Sequence, residues 1–403
     1  MRNVFTRAAV AIAFALLPVV ACAEPIKLKL AYFSSDREPP YLAVLKPFAD
    51  AVNRESNGAI EIVPYTGGVL GRSYARQAQL VLDGVADMAW INPSLSPERF
   101  PDNGVIEFPG LFQNLREATL VYTRLVAAGA LRGYEDYFVI AAGANFPLMI
   151  NTRPPIETLA DVRGKILRVN NLIEANALKS IGVTPVLMPV NEAALAIGRG
   201  TIDGATMPAN SLFAYGVSRI TRFHYAAPLG AAPLAFVMNR KRLEGLPARA
   251  QQVIRKYSGE WAAARFIEVY DTNNIQAMTD LESDVNRRVI LPPRAELDAL
   301  DTAFHAVFEK WRSENPGSQH LLSLVETEIA KRGRKTKGAR MSKPHTNRRD
   351  RGFTPALSNS FPEAVTTLAK YPRSVSPRQS AERSPGWPEF CRERCGTWAR
   401  RQL

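Results

Sequence analysis

Arg168 is the side chain of this sequence that is best placed to do chemistry. It stands in the run KILRV between the apolar Leu167 and Val169, so its side chain points to the opposite face of a predicted strand. An arginine near the carboxyl end of such a strand, beside the start of a helix, faces the crevice in which open α/β sheets bind ligands. A guanidinium matches a carboxylate with two parallel hydrogen bonds. We therefore predict that Arg168 binds a carboxylate; the alternative is a solvated surface arginine paired with Glu192.

The elements that would position Arg168 alternate between strand and helix. Residues 165–169 form a predicted strand, and the two asparagines that follow cap a helix with apolar residues at helical spacing. Residues 184–187 return as a strand, and Asn191 opens a second helix that closes at Gly200. This alternation predicts an α/β fold with a parallel sheet that is covered on both faces.

Motifs of common enzyme classes are absent from the sequence. There is no G-x-S-x-G, no H-E-x-x-H, no phosphate-binding G-x-x-x-x-G-K-[ST] and no dinucleotide-binding glycine fingerprint. Cys391 and Cys395, spaced C-R-E-R-C, lack the two-residue spacing and the second ligand pair of a zinc knuckle. The four histidines lie far apart along the chain, at His224, His305, His320 and His345. We predict a protein without catalytic activity, without a metal and without a cofactor.

The first 23 residues have the pattern of a secretory signal peptide. Arg2 and Arg7 precede or flank an apolar run from Ala8 to Val20 that is too short to span a bilayer, and Ala-Cys-Ala follows as a cleavage site. A loose lipobox with lipid on Cys22 is the alternative reading of the same residues. Both readings predict a mature protein outside the cytoplasmic membrane, in the periplasm.

The basic charge of the chain belongs to its last part. The net charge is +13, and residues 331–403 contain 18 Lys plus Arg against five Asp plus Glu, which alone gives +13. The first 330 residues therefore have no net charge, which argues against a nucleic-acid-binding protein. Residues 334–403 are rich in Arg, Ser and Pro without apolar periodicity, which predicts a disordered basic tail. A frameshift product is one account of this tail, and a functional appendage is the other.

Several separated segments together follow the pattern of one protein family. They are FADAVNRESNGAIEIVPYTGGVLG (48–71), GVADMAW (84–90), PGLF (109–112), DVRGKILRVN (161–170), SIGVTPV (180–186), GTIDGATMP (200–208) and FVMNRKRLEGL (236–246). In combination these segments resemble the solute-binding proteins of TRAP transporters, the tripartite ATP-independent periplasmic family. The resemblance covers about residues 27–333.

The resemblance implies a two-lobe periplasmic binding protein fold with a hinge and a long helix, within residues 247–288, that braces both lobes. Lobe 1 is expected in residues 24–147, completed by about 231–275, and lobe 2 in residues 148–230, completed by about 289–333. The implied function is a receptor that captures an organic acid by lobe closure and delivers it to the small and large membrane subunits of the transporter. A periplasmic enzyme and a sensor input domain for a small organic acid are the alternatives.

The family pattern also carries expectations about the binding site. Arg168 corresponds to the arginine that holds the ligand carboxylate in the family, and Asn171 to a ligand contact of some members. The second arginine of many members is absent from the run NFPLMI (145–150), and Met207 and Val190 stand where the family has an asparagine and an aromatic residue.

These departures predict the kind of ligand. A second carboxylate would lack partners, and a buried polar group without a partner costs about 1–3 kcal/mol. Phe146, Leu148, Met207 and Trp90 are expected to supply apolar walls. We predict a monocarboxylate with an apolar or aromatic body, held by Arg168.

Overall fold

The computed structural model describes residues 24–227 and 229–336, which fold into two β-sheets covered by helices. The predicted signal peptide and the predicted basic tail beyond Thr336 lie outside the described residues. The α/β class is confirmed by the alternation of strands and helices along the chain. Among the described residues, no helix has the length and apolar character needed to cross a membrane.

Lobe 1 is built on a five-stranded sheet with the order β2-β1-β3-β10-β4. The central strand β3 is buried at all four positions, and its sequence MAWI is accordingly apolar throughout. The strands of this sheet are β1 (Ile26–Ala31), β2 (Ile60–Tyr65), β3 (Met88–Ile91), β4 (Tyr137–Asn145) and β10 (Ala232–Asn239).

Lobe 2 is built on a six-stranded sheet with the order β11-β9-β5-β8-β6-β7. Gly204 begins β8 and must be glycine, because a Cβ atom there would lie 2.1 Å from the carbonyl oxygen of Asn151 on β5. The strands of this sheet are β5 (Met149–Thr152), β6 (Ile166–Val169), β7 (Thr184–Leu187), β8 (Gly204–Met207), β9 (Phe223–Tyr225) and β11 (Arg288–Ile290).

The parallel pairing predicted for the strands around Arg168 is confirmed, since β6 is parallel to β7 and to β8. Each sheet also contains one strand that runs against its neighbours, which the sequence analysis did not predict. β10 is antiparallel to β3 and β4, and β5 is antiparallel to β8 and β9. Each of these two strands is the first strand after the chain has crossed from the other lobe. Neither β10 nor β5 is connected to its neighbours in the sheet by a helical crossover, which is the usual connection between parallel strands. The remaining pairs, including β6 with β7 and β8, are parallel.

Eleven α-helices are present in the described residues and cover the two sheets. They are α1 (Lys46–Glu55), α2 (Gln77–Leu82), α3 (Leu115–Ala127), α4 (Leu172–Ser180), α5 (Val190–Arg199), α6 (Ala209–Ala214), α7 (Arg240–Glu244), α8 (Ala248–Lys256), α9 (Glu260–Ser283), α10 (Arg294–Glu314) and α11 (Gln319–Thr336). Short 3₁₀ and π turns connect them.

The region 247–288, where one long helix is expected, contains two helices. α8 ends at Lys256 and α9 begins at Glu260, because Gly259 has φ 64° and ψ −126°, a backbone conformation that is essentially limited to glycine. The Gly259 N–H donates to the carbonyl oxygen of Ile140 on β4. The 24-residue α9 then packs on β4 in lobe 1 and on α6 and β11 in lobe 2. Within residues 247–288, the helix that contacts both lobes is thus α9.

Candidate functional site

A cavity lies between the two lobes, at the carboxyl ends of β3, β4, β6 and β8. The cavity has a volume of about 50 Å³. This is room for several water molecules, since one water needs about 10–15 Å³. The cavity therefore admits a small ligand. Its described lining residues are Pro39, Pro40, Tyr74, Trp90, Asn92, Asn145, Arg168, Asn170, Val190, Met207, Pro208, Asn210, Ser211, Ala214, Tyr215, Ala232, Leu234 and Tyr270.

Arg168 is held in the cavity wall by hydrogen bonds to its own lobe. Its Nε donates to the carbonyl oxygen of Met188 at 2.8 Å, and its Nη1 donates to Asn170 Oδ1 at 2.8 Å and to the carbonyl oxygen of Thr206 at 3.2 Å. Nη2 makes no hydrogen bond with the described residues, although its side chain is 1 % exposed. The expected alternative of a solvated arginine paired with Glu192 is excluded by this burial.

This arrangement changes the expected binding mode of a carboxylate. A parallel fork requires two adjacent guanidinium nitrogens with free N–H groups. Because Nε and Nη1 of Arg168 already donate to three protein oxygens, Nη2 is the nitrogen that remains for a ligand. The protein bonds fix the plane and direction of the guanidinium in advance of binding.

Arg168 is the only charged side chain among the described residues that line the cavity. Burial lowers the pKa of Arg168 to about 10, and the negative charge of Glu174 raises it in part. The guanidinium therefore stays protonated at neutral pH. Burial raises the pKa of Glu174, whose carboxylate is stabilised by hydrogen bonds from Asn170. The cavity thus presents one buried positive charge, and away from bulk solvent a charge interaction is stronger than in water.

Asn171 caps a helix and does not line the cavity. It is the N-cap of α4, and its Oδ1 accepts a hydrogen bond of 2.7 Å from the backbone N–H of Glu174. The preceding residue, Asn170, turns towards the cavity and bonds to Arg168. The predicted ligand contact is Asn171, whereas in the structure it is Asn170 that lines the cavity.

Two of the four predicted apolar residues line the cavity and two do not. Trp90 and Met207 are among the lining residues. Phe146 is buried in the core of lobe 1, and Leu148 is buried in the core of lobe 2. The reason is that residues 146–148 connect the two sheets, so the side chains of this segment pack into the lobe on either side of it.

Aromatic side chains form one wall of the cavity. The lining residues Tyr74, Trp90, Tyr215 and Tyr270 are the members of this wall. Trp90 and Tyr270 are held through Phe266, whose ring stacks on Tyr270 at 3.9 Å and on Trp90 at 6.4 Å between centroids. This wall suits the face of an apolar or aromatic ligand.

Polar residues that the sequence analysis did not identify complete the lining. Asn145 ends β4 of lobe 1, and Asn210 lies in α6 of lobe 2; Asn145 Nδ2 donates to Asn210 Oδ1 at 3.2 Å across the cavity. Asn92 caps the turn after β3. Each of these residues follows or ends a strand at the edge where the lobes meet, a position that the sequence does mark. Which of these residues line the cavity depends on how the two lobes face each other, and the sequence does not show this.

A second contact between the lobes lies next to the cavity. The hydroxyl of Tyr215, directly after α6, lies near the carboxylate of Glu38 in lobe 1 and interacts with it electrostatically. Glu38 also accepts from Tyr32 at 2.8 Å and from Ser34 at 2.5 Å, and burial raises its pKa. Of these contacts, the one between Tyr215 and Glu38 joins the two lobes beside Arg168.

Among the described residues, no group of three or more His, Cys, Asp or Glu side chains could hold a metal ion. The sequence prediction of no metal and no cofactor stays a prediction.

Comparison with known proteins gives consistent matches over the described residues. Residues 30–314 match the family described as bacterial extracellular solute-binding protein, family 7. The 2,3-diketo-L-gulonate-binding periplasmic protein of Escherichia coli is 24% identical over 306 residues, which cover 74% of this chain and 91% of the relative.

Two solved structures have a similar fold. A TRAP solute-binding protein from Rhodoferax ferrireducens, in complex with copurified benzoate, gives a TM-score of 0.72 at 24% identity and covers 77% of this chain and 99% of its own. A marine metagenome TRAP solute-binding protein specific for aromatic acid ligands, in complex with metahydroxyphenylacetate, gives a TM-score of 0.70 at 24% identity, with coverages of 76% and 99%.

Proposed function

Because the chain belongs to bacterial extracellular solute-binding protein family 7, we propose that it is the periplasmic receptor of a TRAP transporter for a monocarboxylate with an apolar or aromatic body. The ligand lies between the two lobes, with its carboxylate against Arg168. The protein binds this ligand, carries out no reaction on it, and releases it to the small and large membrane subunits of the transporter.

The observation that carries the proposal is the single charge of the cavity. Arg168 is the only ionic lining residue among those described, and Nη2 is the guanidinium nitrogen that makes no hydrogen bond with the described residues. A first carboxylate neutralises this cation. A second carboxylate would be buried without a counter-ion, at a cost of several kcal/mol. The cavity therefore selects one negative charge.

The rest of the lining supports an apolar or aromatic body. Trp90, Tyr74 and Tyr270 supply ring faces, and Met207 supplies a flexible apolar contact. Two structures of similar fold contain benzoate and metahydroxyphenylacetate, which are aromatic monocarboxylates. These ligands support an aromatic monocarboxylate as the ligand of this chain.

The position of the cavity supports capture by closure. Its lining comes from both lobes, Asn145 and Asn210 are hydrogen-bonded between the lobes, and the hydroxyl of Tyr215 lies near Glu38 of the other lobe. A ligand that contacts both lobes stabilises the closed arrangement over the open one, which is how a hinged receptor couples binding to its shape.

A thermal-shift comparison tests the proposed ligand class. We expect benzoate or phenylacetate to raise the unfolding temperature of the purified protein more than succinate or malate does, because ligand binding to the native state alone stabilises it. A larger stabilisation by the dicarboxylates would reject the single-charge argument. Mass spectrometry of the bound ligand after incubation tests the absence of chemistry, and recovery of an altered molecule would favour a periplasmic enzyme.

A further inference from the structure

We propose that the ligand carries a hydroxyl group in addition to its carboxylate, and that Asn145 and Asn210 bind this hydroxyl from the two lobes. This inference rests on the proposed function and specifies its ligand class further, as a hydroxylated aromatic monocarboxylate.

The two asparagines are buried and only partly satisfied. Asn145 is 4 % exposed and Asn210 is 5 % exposed. Asn145 Nδ2 donates to Asn210 Oδ1 and to Ser211 Oγ, but Asn145 Oδ1 and Asn210 Nδ2 have no hydrogen-bond partner. Other buried side-chain atoms without a partner exist in the described residues, but these two are the ones that belong to residues lining the cavity.

The chemistry of the unpaired atoms specifies what can satisfy them. One is an acceptor and the other is a donor, so they call for a group that both donates and accepts, and a hydroxyl is the simplest such group. A carboxylate cannot satisfy Asn145 Oδ1, because an ionised carboxylate only accepts. Half-turn rotation of both amides exchanges their roles and again leaves one free donor and one free acceptor. The requirement therefore does not depend on which way the amides point.

The position of the pair separates it from the carboxylate position. Asn145 ends β4 in lobe 1 and Asn210 lies in α6 of lobe 2, whereas the guanidinium of Arg168 bonds to the ends of β6 and β8 and to Met188. Ser211 fixes the pair, since its Oγ accepts from Asn145 Nδ2 and donates to Asn210 Oδ1. The Asn210 backbone N–H is held separately, by Asn274 Oδ1. A ligand hydroxyl in this position would contact both lobes at once.

Isothermal titration calorimetry with matched ligands tests the inference. Phenylacetate is compared with its hydroxylated derivatives mandelate, 3-hydroxyphenylacetate and 4-hydroxyphenylacetate. We expect at least one hydroxylated acid to bind about tenfold or more tightly than phenylacetate, because it satisfies buried groups that the parent acid leaves unpaired. In Asn145→Leu and in Asn210→Ala this gain should fall below about threefold. Asn273→Ala, on α9 outside the cavity lining, should retain the gain.

The outcomes distinguish the inference from the proposed function. Binding of phenylacetate without any gain from a hydroxyl would overturn the inference and leave the monocarboxylate receptor in place, with water serving the two amides. An equal loss for both ligands in Asn145→Leu would also overturn it, because it would assign Asn145 a structural role. Binding of none of the four acids would overturn the inference and the proposed ligand class together.

Discussion

Replacement of Arg168 by alanine removes the cation that the proposed function requires. The ligand carboxylate would stay buried in the cavity without a charged partner, and truncation of one member of a buried charge pair costs about 2–5 kcal/mol. Since each 1.4 kcal/mol is a factor of ten, the dissociation constant for phenylacetate should rise by roughly 30-fold to several thousand-fold. Arg168→Lys should lose less, because its ammonium keeps the charge but has only three N–H donors.

A matched control separates binding from folding. Arg168→Ala also leaves three protein oxygens without their donor, so the variant is expected to unfold at a lower temperature. Arg222 offers a comparable change, because its Nη1 donates to the carbonyl oxygens of Ser218, Arg219 and Thr221 away from the cavity. We expect Arg222→Ala to lose stability while it retains ligand affinity.

Calorimetric titration with phenylacetate, together with thermal unfolding of the free proteins, provides the measurement for these three variants. A folded Arg168→Ala protein that binds phenylacetate within about threefold of the parent would refute the assignment of the carboxylate to Arg168. An Arg222→Ala protein with the same loss of affinity would show that the effect arises from general destabilisation.

Three further predictions concern stability and lobe contact. Burial raises the pKa of Glu107 to about 7, so the native state binds this proton more strongly than the unfolded state does. The free energy of unfolding therefore falls as pH rises from about 4.5 to 7. In urea unfolding at pH 5 and pH 8, Glu107→Gln should reduce this fall by about 2–3 kcal/mol, and an unchanged pH dependence would contradict the raised pKa. Asn171→Ala should cost about 1 kcal/mol of unfolding free energy through loss of the α4 cap, with phenylacetate affinity unchanged within about twofold in titration; a large loss of affinity would restore Asn171 as a ligand contact. Tyr215→Phe removes the hydroxyl that interacts with Glu38 of the other lobe. It should speed phenylacetate release in stopped-flow measurements by up to about tenfold, whereas an unchanged rate would show that this hydroxyl does not hold the lobes closed.

The sequence was most informative where local pattern determines the structure. The strand–helix alternation around Arg168 appears as β6, α4, β7 and α5 with bounds close to those expected. The family resemblance is confirmed by the match over residues 30–314, and the two-lobe fold by the similarity to solved TRAP solute-binding proteins. Local spacing and turn residues carry these features, so they can be read without the tertiary structure.

The details of the site depend on contacts that are distant in sequence. Nη2 of Arg168 is left for a ligand because Nε and Nη1 donate to Met188 and Thr206, which lie 20 and 38 residues further along the chain. Asn145 and Asn210 meet only because the lobes face each other. The strand direction of β10 likewise follows from its path between the lobes. No local pattern encodes these relations, and the predicted lobe boundaries stay a prediction.

A crystal structure of the protein with bound phenylacetate tests the central claim most directly. We expect the phenylacetate in the cavity between the lobes, with a carboxylate oxygen at about 2.7–2.9 Å from Arg168 Nη2, the distance of a charge-assisted hydrogen bond. A carboxylate bound elsewhere, with Arg168 Nη2 making no contact to it, would contradict the account.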